Sequence, residues 1–375
     1  MGDQAAESKG AASRSESTDG APSSGGGRWT RFVPWLKVVV GVVLITVVAR
    51  EIDTSLFASV SERWGDFLLY MGIAAALYFV AFSATVLRWY LLLAGFGVPV
   101  PLVETYRLGW IGLLFSQVIP GATGGDLVKA YYVCRERPEG RVAAITSVAL
   151  DRVLGLVGLM TIGAVAFALN WEEVQANDLL RRLLWVLTGA GTAFVLGGAL
   201  VAWEGFWKHP FLQAVHRRLP GRNLLSRLAE ALVTLKRHPR VIAAAFLISV
   251  FNHFTMITLH VFLARALDGE FSPLSPFYFL IPVGLIANGL PLTPGGLGVG
   301  EAAYRELFSA SGLQHGAELA LLMRFTTLFW AVLGFYPYWR GKKELREAVL
   351  AAEESVKESV PAEPETSTDG SVATR

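Results

Sequence analysis

Long apolar runs separated by short charged loops organise this chain. Unbroken runs lie at Val38–Ala49, Phe67–Ala94, Val142–Leu169, Leu183–Trp203, Val241–Ala266 and Ala317–Trp339. A helix crossing the hydrocarbon core needs roughly 20 mostly apolar residues, and these six are read as full spans. The first follows a basic flank (Arg28, Arg31, Lys37) and a long polar leader, which points to a signal anchor and not a cleaved peptide. The second carries Arg88, Trp89 and Tyr90 near its end, a cluster read as an interfacial anchor. Residues 204–240 hold eight Lys or Arg against two Glu, with Leu and Val at helical spacing around Leu224–Leu235. That pattern predicts an amphipathic helix lying on the membrane surface.

Two more apolar stretches, about Thr105–Val133 and Pro276–Ser311, are interrupted. The first breaks at Ile119-Pro120-Gly121-Ala122-Thr123-Gly124-Gly125-Asp126, the second at Thr293-Pro294-Gly295-Gly296-Leu297-Gly298-Val299-Gly300-Glu301. In each, an apolar helix meets Pro-Gly, then a glycine-rich turn, then a new helix that opens on an acid and carries a cation, Lys129 or Arg305. Backbone polar groups cannot stay bare in lipid, so such breaks are tolerated only against protein or water. Corresponding breaks in two halves point to a transporter-like binding site.

A helix that begins inside a membrane offers unpaired N–H groups and the positive end of its dipole, a setting for an anion. Glycines let a phosphate approach the backbone closely. The candidate substrate-binding residues are therefore Gly121, Thr123, Gly124, Gly125, Asp126 and Lys129 in the first break. Their counterparts in the second are Gly295, Gly296, Gly298, Gly300, Glu301 and Arg305. Asp126 and Glu301 also have a plainer reading, as caps of their own helices or partners of Lys129 and Arg305. Small residues permit close helix packing as well, so the glycines weigh less than the repeated Pro-Gly turn with its acid.

Three charges lie deep in spans and join the candidate set. Asp151 and Arg152 sit ten and eleven residues past Arg141, roughly 15 Å along a helix. Adjacent residues point about 100° apart, so each needs a neighbour on another helix or a water-filled cavity. Arg324, seven residues inside the last span, either snorkels outward or holds an anionic group. Asn252 and His253 read as interhelical hydrogen-bonding groups. Arg88 reads as an anchor that reaches water by itself. Cys134, the single cysteine, reads as a buried, inert thiol.

Composition agrees with a membrane protein: 53% hydrophobic, 17% charged, mean hydropathy +0.45, against about 25% charged in soluble chains. The net charge of +2 decides little, because charge acts loop by loop. Lys and Arg in short loops stay cytoplasmic. If each broken segment dips in and returns to its own side, loop 135–141, segment 204–240 and both termini share the cytoplasmic side. The acidic 171–178 and 268–270 loops then fall outside, with Arg181 and Arg182 left beside them. If each broken segment crosses once, both basic segments fall outside. The first arrangement fits better. It predicts an all-α polytopic protein of the cell membrane, with six full spans and two opposed re-entrant hairpins forming an inverted repeat. Residues 28–343 form this domain, and the polar tails 1–27 and 344–375 are expected to be disordered.

One cysteine excludes an intrachain disulfide and a cysteine-based metal cluster. The six histidines share no ligand spacing, and Gly295–Gly300 lacks the Lys-Ser/Thr of a phosphate-transfer loop. No metal or cofactor is expected. Segment 204–240 suits anionic lipid headgroups better than nucleic acid.

Several of these stretches also carry a family resemblance. Leu114–Tyr131, Leu150-Asp151-Arg152-Val153-Leu154-Gly155, Pro294–Glu301 and Arg324 resemble the transmembrane region of lysylphosphatidylglycerol synthetases, also found as stand-alone flippase-like membrane proteins. The resemblance covers about residues 33–340. It implies translocation of lipid between leaflets, with aminoacyl transfer belonging to a separate soluble domain. About 30 residues follow the last span, too few for an acyltransferase fold, so synthetase activity is not expected. The expected substrate is a phospholipid or polyprenyl-linked lipid, whose anionic headgroup sits between the two hairpins. A second copy of the chain or a separate lipid-modifying enzyme is the expected protein partner. The alternatives are an intramembrane lipid-modifying transferase, with Asp151 or Glu301 as base beside His253, and a non-catalytic membrane partner of such an enzyme.

Overall fold

The computed structural model describes residues 55–118, 124–137, 140–202, 238–289 and 298–340, together with Thr46 and Thr293. The predicted first span apart from Thr46, most of segment 204–240, both tails, and residues 119–123, 290–292 and 294–297 of the two breaks lie outside the described residues.

The regular elements among the described residues are all helical. In chain order they are α1 Ser55–Glu62, α2 Trp64–Gly95, α3 Leu102–Val118, α4 Gly124–Glu136, α5 Arg141–Leu169 and α6 Trp171–Ala176. They continue with α7 Asp178–Ala202, α8 Pro239–Asp268, α9 Leu274–Asn288, α10 Val299–Ala310, α11 Gly316–Leu333 and α12 Phe335–Arg340. Among the described residues, four segments are long and apolar enough to cross a membrane: α2, α5, α8, and α11 continued into α12. These correspond to four of the six predicted spans. A fifth, Leu183–Trp203, falls mainly within α7.

Helix α2 does not close on an anchor cluster at Arg88–Tyr90. It runs on to Gly95, and both Arg88 and Trp89 are buried. The reason is packing: α2 and α8 lie antiparallel along their lengths. Arg63 Nη2 donates to the Leu267 carbonyl at 3.1 Å, Thr85 Oγ1 to Asn252 Oδ1 at 3.4 Å, and Arg88 Nη1 to Ser249 Oγ at 2.9 Å. Ala74, Ala81 and Ala84 are buried on α2, small side chains that favour a close approach.

The two halves repeat one packing scheme. In the first, α3 and α4 pack side by side at Gly112 and Gly125. A Cβ on Gly125 would lie 2.0 Å from the Gly112 carbonyl oxygen, so the contact exists only because the side chain is missing. In the second, α9 and α10 close on Gly284, whose Cβ would lie 2.3 Å from the Tyr304 ring. The first limb of each pair also packs on the other half. Trp110 of α3 abuts Gly334 at the end of α11, and Pro282 of α9 abuts Gly163 of α5.

The pairs are rooted at opposite ends of the bundle. Val98 lies against Gly140, and Arg141 Nε donates to the Cys134 carbonyl at 3.3 Å, which gathers the outer ends of α3 and α4 with the start of α5. At the other end His315 Nδ1 meets Asp268 Oδ1 at 2.7 Å, Asn177 Nδ2 donates to the Ala310 carbonyl at 2.5 Å, and Ser275 bonds Asn170. Asn177 also caps α7, accepting from the Leu179 and Leu180 N–H groups at 3.0 and 3.2 Å.

Candidate functional site

Each half places an acid third in its second limb. Gly124 and Gly125 open α4 before Asp126, and Val299 and Gly300 open α10 before Glu301. Both carboxylates are buried, and each is held by an arginine on the next long helix. Asp126 Oδ2 accepts from Arg152 Nε of α5, and Glu301 Oε1 accepts from Arg324 Nε of α11 at 2.7 Å. Glu301 Oε2 also takes the Gly298 N–H at 2.8 Å and so caps its own helix. Gly298 sits at φ 79°, a conformation that favours glycine. Asp126 takes Lys129 Nζ at 3.4 Å, one turn further along.

The repeat extends by one more position. Lys129, three past its acid, lies over the Trp89 ring at 5.5 Å. Tyr304, three past its acid, stacks on His260 at 5.7 Å and shares a 3.2 Å hydrogen bond between its hydroxyl and His260 Nε2.

The two arginines face a common cavity of about 350 Å³. Its wall draws Tyr78 from α2, Leu113, Ser116 and Gln117 from α3, and Arg152 from α5. Leu285, Asn288 and Gly289 come from the end of α9, Gly300 and Tyr304 from α10, and Ala320, Met323, Arg324 and Thr327 from α11. Among the described residues its charged lining is Arg152 and Arg324, and no carboxylate joins them. The acids stand behind: side-chain exposure is 53% for Arg152 against 8% for Asp126, and 16% for Arg324 against 1% for Glu301. Two guanidiniums surrounded by hydroxyls and amides make a wall suited to an oxyanion.

Asp151 belongs to a different arrangement. Arg88 grips it through Nε at 2.6 Å and Nη2 at 3.0 Å, with Ser249 taking Nη1, and the pair is almost sealed at 5% and 8% exposure. Asp151 thus has the interhelical partner its depth demands, and that partner is Arg88, which is no snorkelling anchor. A guanidinium placed about two turns inside Gly95 finds a carboxylate before it finds water. Arg152 likewise has its partner on another helix, in Asp126.

The remaining candidates are scattered. Gly125 serves the α3–α4 contact and Gly124 is buried at the head of α4, whereas Gly300, packed against Asn288, is part of the cavity wall. Arg305 pairs with Glu306 at 3.6 Å and is not in the cavity wall. Gly121, Thr123, Gly295 and Gly296 lie outside the described residues. Asn252 and His253 make the expected interhelical bonds, to Thr85 and to the Gly155 carbonyl at 2.8 Å. Cys134 is half-buried and not sealed, because α4 is near its end there. Sequence reading missed Gln117, Asn288 and Tyr304 as cavity residues. Gln117, next to the Pro-Gly turn in an apolar run, was the one with a signal.

No group of three or more His, Cys, Asp or Glu side chains is placed to hold a metal ion among the described residues.

Comparison with known proteins agrees with this architecture. Residues 35–334 match the family described as the lysylphosphatidylglycerol synthase TM region. A UPF0104 membrane protein of Pyrococcus horikoshii is 21% identical over 319 residues, covering 77% of this chain and 90% of that protein. A UPF0104 membrane protein of Methanothermobacter thermautotrophicus is 21% identical over 255 residues, covering 63% of this chain and 71% of its own. The matched region contains the four apolar helices, both limb pairs and both acid–arginine pairs, and the chain belongs to the lysylphosphatidylglycerol synthase transmembrane-region family.

Proposed function

We propose that this protein moves a lipid with an anionic headgroup, a phospholipid or a polyprenyl-linked lipid, between the leaflets of the cell membrane. One observation carries the reading: two arginines, one from each half, meet at a cavity beside the tips of two limb pairs rooted at opposite ends. In this reading α3–α4 and α9–α10 are re-entrant hairpins of an inverted repeat, the first entered from the cytoplasm and the second from outside. Both termini are cytoplasmic. The volume of about 350 Å³ lies at the lower end for drug-sized ligands, enough for a headgroup while the tails stay in lipid.

The geometry offers less to a transferase. A general base needs a lone pair within reach of the substrate proton. Asp151 is gripped by Arg88, Glu301 by Arg324 and the Gly298 N–H, and His253, with Nε2 on the Gly155 carbonyl and Nδ1 buried, is not in the cavity wall. Chemistry on the lipid would then fall to a separate enzyme.

The test is leaflet exchange. Purified protein in liposomes, without nucleotide, should make an inner-leaflet fluorescent phospholipid accessible to an external quencher. Exchange no faster than in protein-free vesicles, across several anionic headgroups, would refute the reading. A chemically altered lipid would transfer the case to the enzyme class.

A further inference from the structure

Among the described residues, three arginines pair with a buried carboxylate, and they differ in how each arginine is presented. In Arg88–Asp151 both partners are sealed. In Asp126–Arg152 and Glu301–Arg324 the acid is sealed while the arginine reaches the cavity wall. Each of these acids accepts from the Nε of its arginine. A guanidinium has five donors in a rigid fork, more than one carboxylate oxygen can take.

We infer that the cavity binds a phosphate group between Arg152 and Arg324, and that Asp126 and Glu301 are resident counter-anions competing with it for the two arginines. The inference rests on the proposed transport reading and deepens it by assigning the substrate class and the roles of the four charges. Within the protein Asp126 faces Arg152 and Lys129, and Glu301 faces Arg324, so each buried carboxylate has a counter-charge, which is how charges persist in a weakly polar setting. An arriving phosphate shares each guanidinium with its carboxylate. It meets two guanidiniums, and Ser116, Gln117 and Asn288 in the same wall offer neutral hydrogen bonds. The competition keeps the ligand from being held too tightly. A carrier must release what it binds, and an uncompensated pair of arginines would bind phosphate too well.

This assignment makes the acids and the arginines act in opposite directions. Removing Asp126 or Glu301 leaves an arginine short of negative charge, and the ligand supplies it. Removing Arg152 or Arg324 removes a ligand contact and leaves a carboxylate that repels the phosphate. If the pairs were merely structural, all four substitutions would weaken binding together.

The experiment is calorimetric titration of the full-length protein in detergent with inorganic phosphate, dihexanoyl-phosphatidylglycerol and dihexanoyl-phosphatidylcholine. For the preferred phosphate probe, Asp126→Asn and Glu301→Gln should bind at least tenfold tighter than wild type, and Arg152→Gln and Arg324→Gln at least tenfold weaker. Preference for the anionic lipid identifies a headgroup as ligand, and preference for inorganic phosphate identifies the free ion. Either supports the phosphate site. Binding of neither, or weaker binding in both acid variants, overturns the inference. Should the single variants not stay monodisperse, the neutral doubles Asp126→Asn with Arg152→Gln and Glu301→Gln with Arg324→Gln replace them. Each should lose at least tenfold in phosphate affinity, and wild-type affinity in both overturns the inference. Liposome exchange separates the two readings: opposite-signed binding without exchange retains the phosphate site and removes the transporter, and exchange without opposite-signed binding does the reverse.

Discussion

Substitution of Arg88 by Gln tests whether the chain has a structural ion pair at the crossing of α2, α5 and α8. The guanidinium donates to Asp151 at 2.6 and 3.0 Å and to Ser249 at 2.9 Å, with 5% and 8% of the two charged side chains exposed. Removing one member of a buried pair strands the other, at a cost of about 3–5 kcal/mol. Asp151→Asn should cost a comparable amount, because the guanidinium keeps Ser249 but loses its counter-charge. The double variant Arg88→Gln with Asp151→Asn places two amides where two charges stood. Replacing a buried pair by well-packed apolar groups is often close to neutral, and two facing amides likewise leave no charge stranded. The double should therefore be less damaged than the sum of the singles by at least about 2 kcal/mol, within the range of coupling for residues in contact. The assay is reversible unfolding in mixed micelles with increasing sodium dodecyl sulfate, followed by circular dichroism at a helix band. Arg88→Gln within about 0.5 kcal/mol of wild type, as for a surface substitution, or strictly additive singles, would refute the reasoning.

Two further predictions concern packing and topology. Gly125→Ala drives a methyl to within 2.0 Å of the Gly112 carbonyl oxygen and should destabilise by about 1–3 kcal/mol. Gly189→Ala has nothing within 4 Å and should be neutral or gain up to about 1 kcal/mol in helix propensity; equal losses in the same unfolding assay would refute the packing argument. In a Cys134→Ser background, a cysteine at exposed Glu172 should react with an impermeant thiol reagent in intact cells, and one at exposed Arg137 only after permeabilisation. The reverse pattern would overturn the proposed orientation.

What the sequence determined by itself was local. The apolar runs marked α2, α5, α8 and α11, because hydropathy over about 20 residues reflects the solvent that a segment must meet. Pro-Gly followed by glycines and an acid marked where α4 and α10 begin, since proline and glycine act on their own backbone. Depth along a helix marked Asp151, Arg152 and Arg324 as charges in need of partners. Which partners they take was decided by the tertiary structure alone. Spacing assigned Lys129 to Asp126 and Arg305 to Glu301 as neighbours one turn apart. Asp126 does take Lys129, but also Arg152, 26 positions on, and Glu301 takes Arg324, 23 positions on, while Arg305 meets Glu306. Arg88 passed for a surface anchor until the crossing of α2 with α5 and α8 enclosed it with Asp151 and Ser249. An ion pair between helices depends on rotation and register of both, quantities set by glycine contacts such as Gly112 against Gly125 and Gly158 against Ser249, and no spacing within one segment encodes them.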